Sequence, residues 1–536
     1  MISAPYSHPS IWFRALMVSF VCCLLAVPLA AQETAFKQAV AEGSVQDPDL
    51  SLFYKERGFQ GIWTGDSAGD RLRRTELVKA LRSAGDHGLP EGRYDLRELE
   101  QALSNVRSPR ERGLIEVRMS RAFLQYARDV QTGVLVPSRI DDALVRQVPY
   151  RDRKRYLSDL IESAPRQYFR ALPPQTAEYT ALMKHKMTLD RLIEQGGWGA
   201  QVRTKKLEAG SRGPAVVALR DRLVRMGYLE RNASPDFDAA MIAAVKAFQS
   251  DHGLLQDGVV GAGTLKEINV SAQDRLKAVI VAMERERWTN TDRGERHIDV
   301  NLADFSAKII DGGKVTFETR AVVGHREKDR QSPEFSDVME FMVVNPSWYV
   351  PRSIMTKEYL PELQEDPYAV NHIEITDRTG RVVDRSAVDF TQFDANTFPF
   401  AMRQPPSRGN ALGLVKFMFP NKHNIYLHDT PAKNLFGREV RAYSHGCIRL
   451  ADPFDFAYAL LSVQSSDPEA TFKRALATGK EVQIDLKKHV PVHIMYRTAL
   501  ADGKGRIQYR RDVYKRDAKI WNALSQAGVA LRSVQG

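Results

Sequence analysis

The stretch IYLHDTPAKNLFGREVRAYSHGCIRLADP, Ile425 to Pro453, sets one thiol, Cys447, directly after His445 and Gly446, with His428 nineteen residues upstream. A free cysteine titrates near pH ~8.5 and is only a few per cent thiolate at neutrality, so a nucleophilic one needs a base or a field that brings it to roughly 3.5–7.5. His428 is the base that this stretch offers. Gly446 lets the backbone bend without a Cβ and exposes amide N–H groups toward a developing oxyanion, the term that usually matters most in acyl transfer. Downstream, ADPFDFAYALL puts Asp452 at the expected N-cap and Pro453 at the first helical position, anchoring the segment after the thiol on a capped helix.

The chain has only three cysteines in 536 residues. Cys22 and Cys23 lie in RALMVSFVCCLLAVPLAAQ, where Arg14 precedes an apolar run and Ala30 and Ala31 offer a cleavage point. Residues 1–31 therefore read as a secretory signal peptide, or, if uncleaved, as an anchor. Either way the remainder is expected to be exported, to a periplasm or cell envelope. Cleavage would leave Cys447 unpaired in an oxidising compartment, which suggests a reactive thiol or an intermolecular bridge. A formal charge of +11 and a pI near 9.3 would suggest nucleic acid in a cytoplasmic protein. Export replaces that partner with anionic envelope polymers or membrane faces, and a membrane contact is expected only through an uncleaved N-terminus. No low-complexity tract, metal-spaced Cys/His cluster or GxxxxGK[ST] loop is present, so phosphate transfer and zinc chemistry lack support.

The elements that must position these residues fall into three textures. From residue 37 to about 200, segments such as GLIEVRMSRAFLQYARDV repeat apolar residues at three- and four-residue spacing and read as a helical scaffold. Residues 207–270 hold two short amphipathic helices, striped by Val216, Leu219, Leu223 and Met226 and by Met241, Ala244, Val245 and Phe248, with a loop through Asp236 and Asp238. With Gly213, the MGY at Met226 to Tyr228, AVKAFQ and DGVVGAGTL, this unit resembles the small three-helix peptidoglycan-binding domain. The resemblance implies binding of glycan strands or stem peptides. Residues 271–295 read as one more scaffold helix or linker.

From residue 296 to 490, alternating segments (RHIDVNLADFSAKII, KVTFETRAVVG, MEFMVVNPSWYVP, LVKFMFP, HNIYLHD) indicate a β-rich domain. DGGK and PNKHN supply turns, which places His428 at the end of a strand after a hairpin. Residues 491–536 are expected to form a strand pair and tail. The fold class is thus multi-domain α+β: scaffold, three-helix unit and β-rich domain.

HDTPAKNLFGREVRAYSHGCIRL resembles the catalytic signature of the L,D-transpeptidases (the YkuD type), a histidine followed some sixteen residues later by [ST]-H-G-C. The resemblance implies Cys447 as acyl-accepting nucleophile, His428 as proton acceptor and donor, and Gly446 with the Cys447 amide as part of the oxyanion site. His445 would assist orientation or hydrogen-bond the turn. The family tends to hold its histidine through a backbone carbonyl, so Asp429 is not read as a side-chain member of a triad. Arg449, where short members carry Asn, together with GFQGIWTGD, VVNPSWYVPRSI and QPPSRGNALGLVKFMFPN, is similar to a long periplasmic branch. In that branch residues 355–408 correspond to a substrate-capping insertion. Arg403, Asn410 and Arg449 are then candidate contacts to the acidic stem peptide, each against the alternative of a structural salt bridge or hydrogen bond. The implied reaction is 3–3 cross-linking of peptidoglycan through a cysteinyl thioester, without metal or cofactor and open to acylation by carbapenems. A carboxypeptidase or cross-link hydrolase using the same residues, and a non-catalytic wall-binding protein, remain alternatives.

Overall fold

The structure is a computed structural model that describes Met1 and residues 31–531; the expected leader, residues 1–31, lies outside the described residues but for its two ends. Among the described residues no helix is long and apolar enough to cross a membrane.

The N-terminal half is helical from Pro48–Glu56 to Ala177–Glu194. Its longest helix, Pro109–Thr132, opens on a reciprocal Ser108/Glu111 capping box. One turn on, the buried Glu116 carboxylate accepts the amide N–H of Ile62 (2.6 Å), Trp63 (3.1 Å) and Thr64 (2.9 Å) and the Tyr54 hydroxyl (3.0 Å). The GFQGIWTGD segment is therefore a loop wrapped on a buried carboxylate, whose satisfied oxygens make its burial tolerable.

Helix Ala272–Trp288, expected as one more scaffold helix or linker, is the hub of the scaffold core: it is buried around nearly its whole circumference. Its Glu284 and Arg287 pair at 2.8 Å with both side chains fully buried, and Arg285 reaches Glu334 (2.5 Å) and Asp517 (3.2 Å). The three-helix unit, Pro214–Arg225, Ala239–Asp251 and Ala262–Ile268, buries Val216, Leu219, Leu223, Met241, Ala244, Val245 and Phe248 in one core, with Met226 at its edge.

The β-rich domain is built from strands β1 (Arg296–Asn301), β2 (Ser306–Asp311), β3 (Lys314–Gly324), β4 (Phe335–Val344), β5 (Trp348–Tyr349), β6 (Glu374–Thr376), β7 (Ala401–Gln404), β8 (Val415–Met418), β9 (Leu427–His428), β10 (Ala442–Ser444), β11 (Ile448–Leu450) and β12 (Val482–Met495). The main sheet runs β10-β3-β11-β9-β8-β4-β12-β1-β2. Because the first half of β3 pairs with β2 and its last residues with β11 and β10, the sheet closes on itself. The β2–β3 turn is the expected DGGK, with both glycines at positive φ (+53° and +77°), the conformation a two-residue hairpin of this hand demands.

Strands β5, β7 and β6 form a separate three-stranded sheet with its own apolar core, from Trp348 to Leu412. The capping insertion thus starts earlier and ends later than residues 355–408, because β5 and the Asn410–Leu412 turn supply part of its core. The expected domain limit at residue 490 falls inside β12, which pairs with β1 as far as Met495. Beyond it, hairpin β13 (Ala499–Ala501) and β14 (Ile507–Tyr509) and helix Arg516–Gln526 return to the scaffold core, so this tail buttresses the first domain.

Candidate active site

His428 ends β9, in the middle of the sheet, flanked by β8 and β11. In the β9–β11 ladder Arg449 lies opposite His428, and the Ile448 amide donates to the Tyr426 carbonyl at 3.1 Å. Alternation then puts Tyr426 and His428 of one strand and Cys447 and Arg449 of the next on the same face. At ~4.8 Å between strands and ~3.3 Å per residue, Cys447 and His428 are about 8 Å apart at Cα, within reach of an imidazole and a thiol. Among the described residues no hydrogen bond joins the ring to the sulfur, and such contacts commonly tighten only with substrate bound.

The His428 ring is buried, and its Nδ1 donates to the Asp429 main-chain carbonyl (2.5 Å). That bond leaves the Nε2 lone pair free to accept a proton. Burial and then the Arg449 cation lower its pKa to about 3, so the ring is neutral through the physiological range. The Asp429 side chain has other work: it accepts from the Leu414 amide (2.9 Å), the Thr430 amide (2.7 Å) and Lys433 Nζ (2.6 Å), holding the loop before β8.

The thiol of Cys447 is half-buried, with its proton on the Asn424 carbonyl at 3.5 Å. Burial pushes it up to about 11, against the pull of hydrogen bonds from the Tyr426 amide and hydroxyl and of the Arg449 charge. This overturns the expectation of a thiol depressed to roughly 3.5–7.5: with His428 neutral there is no imidazolium to hold a thiolate, and the resting pair is thiol and imidazole. The site suits general-base attack, in which the proton moves as the sulfur bonds to a carbonyl.

Gly446 has φ +117°, a backbone that L-residues rarely adopt, and a Cβ there would meet Ile425 Cδ1 at 3.2 Å. Its amide, however, is already bonded to Ser444 Oγ (3.2 Å), so Gly446 shapes the turn while the Cys447 amide is the donor left for an oxyanion. The turn is pinned by Ser444 Oγ donating to the Cys447 carbonyl (2.5 Å) and Ser332 Oγ donating to the Gly446 carbonyl (2.6 Å). Asp452 stands at the N-cap position of helix Pro453–Leu461 but does not cap it, because its carboxylate accepts from the Thr319 hydroxyl (2.8 Å). His445 takes neither expected role: its Nε2 points away to Glu358 of the cap at 2.6 Å.

The three candidate substrate contacts separate. Asn410 must be corrected: it is fully buried, with Nδ2 donating to the carbonyls of Pro346, Gln404 and Pro405 (3.0–3.1 Å) and Oδ1 accepting from the Leu412 amide (2.8 Å). Nothing remains for a substrate. Arg403 sits on β7 and pairs within the cap to Glu374 at 3.7 Å. Arg449 alone faces the thiol, and among the described residues no carboxylate pairs with it; its Nε is buried without a partner.

Tyr426 and Trp348 were not singled out by sequence. Tyr426 packs against both the catalytic and the cap cores, lies edge-on to the His428 ring at 5.6 Å, and accepts from the Trp348 side chain while donating to the sulfur. The available signal was the period-two spacing in HNIYLHD, which sets Tyr426 on the histidine's face.

Residues 295–484 match the L,D-transpeptidase catalytic domain (YkuD), residues 48–185 the scaffold domain, and residues 212–268 the "Putative peptidoglycan binding domain". A "Putative L,D-transpeptidase" of Haemophilus influenzae is 32% identical over 259 residues, 48% of this chain and 50% of the relative, so the chain spans about half the length of the curated relative it matches. Among solved structures, an L,D-transpeptidase from Xylanimonas cellulosilytica shares 18% identity over 55% of this chain and 98% of its own, at a TM-score of 0.17. A fused Zn-dependent amidase/peptidase/peptidoglycan-binding protein from Clostridium acetobutylicum shares 14% over 55% and 100%, at 0.16; neither likeness carries an argument. Residues 295–484, which hold the signature at Cys447, are thus similar to the L,D-transpeptidase catalytic domain (YkuD), beside segments similar to a scaffold domain and a peptidoglycan-binding domain.

Proposed function

We propose that this protein forms 3–3 cross-links in peptidoglycan through a cysteinyl acyl-enzyme, in an exported compartment. The observation that carries the reading is the neutral His428, tied through Nδ1 to a main-chain carbonyl, on the same sheet face as the Cys447 thiol. The thiol attacks the carbonyl between the third residue of a tetrapeptide stem, a diaminopimelate-type L-centre, and its terminal D-Ala, passing its proton to His428 Nε2. The oxyanion meets the Cys447 amide. Collapse breaks the peptide bond, and the departing D-Ala amine takes the proton from His428. The side-chain amine of a neighbouring stem then gives a proton to His428 as it attacks the thioester, and that proton returns to the sulfur. Tyr426 donates to the sulfur, and Arg449, whose buried Nε has no partner, offers a cation to a substrate carboxylate. The cap, latched by Glu358 to His445 and Arg330 (2.6 and 3.0 Å), supports transfer over hydrolysis, because a covered thioester meets less water.

The test uses purified tetrapeptide muropeptides and mass analysis of products. The native protein should yield a cross-linked dimer with release of D-Ala, and Cys447→Ala should yield neither while still sedimenting with sacculi. An active Cys447→Ala variant ends the thiol mechanism; tripeptide monomer alone, with acceptor in excess, puts water in place of the amine.

A further inference from the structure

At the junction of the three-helix unit, helix Ala272–Trp288, the loop over residues 326–331 and the C-terminal segment Arg510–Asn522 lies a cleft of about 1090 Å³. It does not contain the thiol. The carboxylates that line it are all committed. Asp141 pairs with Lys519 (2.5 Å), Asp274 with Lys277 (2.8 Å), Glu267 with Arg275 and Arg511 (2.8 and 3.3 Å), and Asp517 with Arg285 (3.2 Å). Asp512 accepts from the Tyr496 hydroxyl (2.7 Å) and the Arg516 amide (2.9 Å).

Four of the nine lining cations are not. Lys266, Arg326, Lys328 and Lys515 are exposed, come from three separate segments, and among the described residues have no carboxylate within ion-pair distance. Lys515 is held at φ +57°, a left-handed backbone that costs a lysine energy and is kept only where its surroundings impose it. Trp521 and Asn522 add an aromatic face and an amide to the same wall. One wall also leads to the chemistry: the 326–331 loop runs into Ser332, whose hydroxyl holds the Gly446 carbonyl, and Gln331 O lies 4.0 Å from where a Gly446 Cβ would stand.

We propose that this cleft binds a peptidoglycan strand through the carboxylates of its stem peptides, and so delivers the polymer to the neighbouring thiol. The inference rests on the proposed function above. Four uncompensated charges in a concave, partly apolar cleft focus an anionic polymer more strongly than the same charges spread over a convex face, and their effect fades with salt over a Debye length of about 8–10 Å.

The experiment uses the full chain carrying Cys447→Ala, so that nothing turns over, and measures fluorescence anisotropy of labelled soluble glycan strands bearing tetrapeptides. Lys266→Glu/Lys328→Glu/Lys515→Glu should weaken binding at least about tenfold near 0.1 M salt and flatten its salt dependence, and the Lys→Gln triple should weaken it about threefold. Lys55→Glu/Lys79→Glu/Lys184→Glu, exposed scaffold lysines with the same change in net charge, should stay within about twofold. Strands with amidated carboxylates should bind the unaltered cleft weakly. Equal loss in the two Glu triples, or none in either, overturns the proposal, as does full binding of amidated strands. Native protein assayed in parallel on short muropeptides keeps the two readings apart: no product there sinks the proposed reaction, whereas product alongside unimpaired strand binding by the cleft triple sinks only the cleft.

Discussion

Tyr426→Phe is the sharpest perturbation of the site, since it removes one oxygen and leaves the ring that packs between two cores. The hydroxyl donates to Cys447 and accepts from Trp348. A hydrogen bond to a charged group contributes ~1.5–3 kcal/mol against ~1 kcal/mol for a neutral one, so losing it should cost the developing thiolate about 1–2 kcal/mol, a fall of roughly 5- to 30-fold in acylation. The thiol, already pushed up to about 11, should rise by about one further unit. Single-turnover release of D-Ala gives the first number and the pH dependence of iodoacetamide alkylation the second. Trp348 loses its acceptor in this variant, and a buried unmatched donor costs about 1–3 kcal/mol, which loosens the cap. The double variant Tyr426→Phe/Trp348→Phe separates the causes: it removes both partners, so a rate that stays low indicts the lost donor to sulfur, while a recovered rate indicts the cap. Acylation by Tyr426→Phe within twofold of native, with unshifted alkylation, would refute the assignment.

Three further outcomes are expected. The acylation half-reaction should show no histidine limb between pH 4.5 and 7, because His428, lowered to about 3, has already lost its proton there, and alkylation of the free thiol should be slow at pH 7 and climb toward pH 11; an acid limb near 6.5 would contradict this. Arg449→Leu should raise KM and lower kcat/KM about 10- to 100-fold, with Arg449→Lys recovering part, since the cation serves both the sulfur and a substrate carboxylate; unchanged steady-state kinetics would make it a structural residue. Asn410→Ala leaves several buried main-chain groups unpaired, a cost of about 2–4 kcal/mol confined to the cap, and limited proteolysis within residues 355–408 should accelerate at least about tenfold.

What could be read from the sequence was whatever is local. The stripes of the three-helix unit, the DGGK hairpin and the alternation that sets His428 at a strand end depend on neighbours a few residues away, and each reappears in the structure. The backbone carbonyl that holds His428 was expected from family likeness and is its adjacent residue. Long-range placement was not legible. Helix Ala272–Trp288 reads as one more scaffold helix or linker, and only the fold shows Arg285 paired with Asp517 of the C-terminal helix and the C-terminal hairpin, more than two hundred residues on, in the same core. Asn410 looks like a polar loop residue available to substrate, and only the fold shows three carbonyls converging on it. Thiol acidity failed for the same reason: the His428 spacing is visible in the chain, but burial and the direction of the Tyr426 hydroxyl are properties of two packed domains.

The nucleophilic turn is also less self-contained than the matched segment 295–484 suggests. Ser332, which holds Gly446 in place, is itself fixed from beyond that segment: Arg516 Nη2 donates to its carbonyl (2.8 Å), and the Tyr514 hydroxyl donates to the carbonyl of Gly324 (2.6 Å), whose amide bonds Ser332 Oγ (3.0 Å). Two residues after Ser332, Glu334 receives Arg285 from the scaffold helix (2.5 Å) and Arg516 from the C-terminal helix (3.2 Å). With these charges buried, removing one partner strands another, which costs several kcal/mol and makes the arrangement cooperative rather than modular. Scaffold, C-terminal tail and catalytic sheet therefore meet through one charged cluster behind the turn that carries Cys447. In the proposed reaction the scaffold's part is to hold that turn, with its left-handed glycine, in a geometry that leaves the Cys447 amide free for an oxyanion.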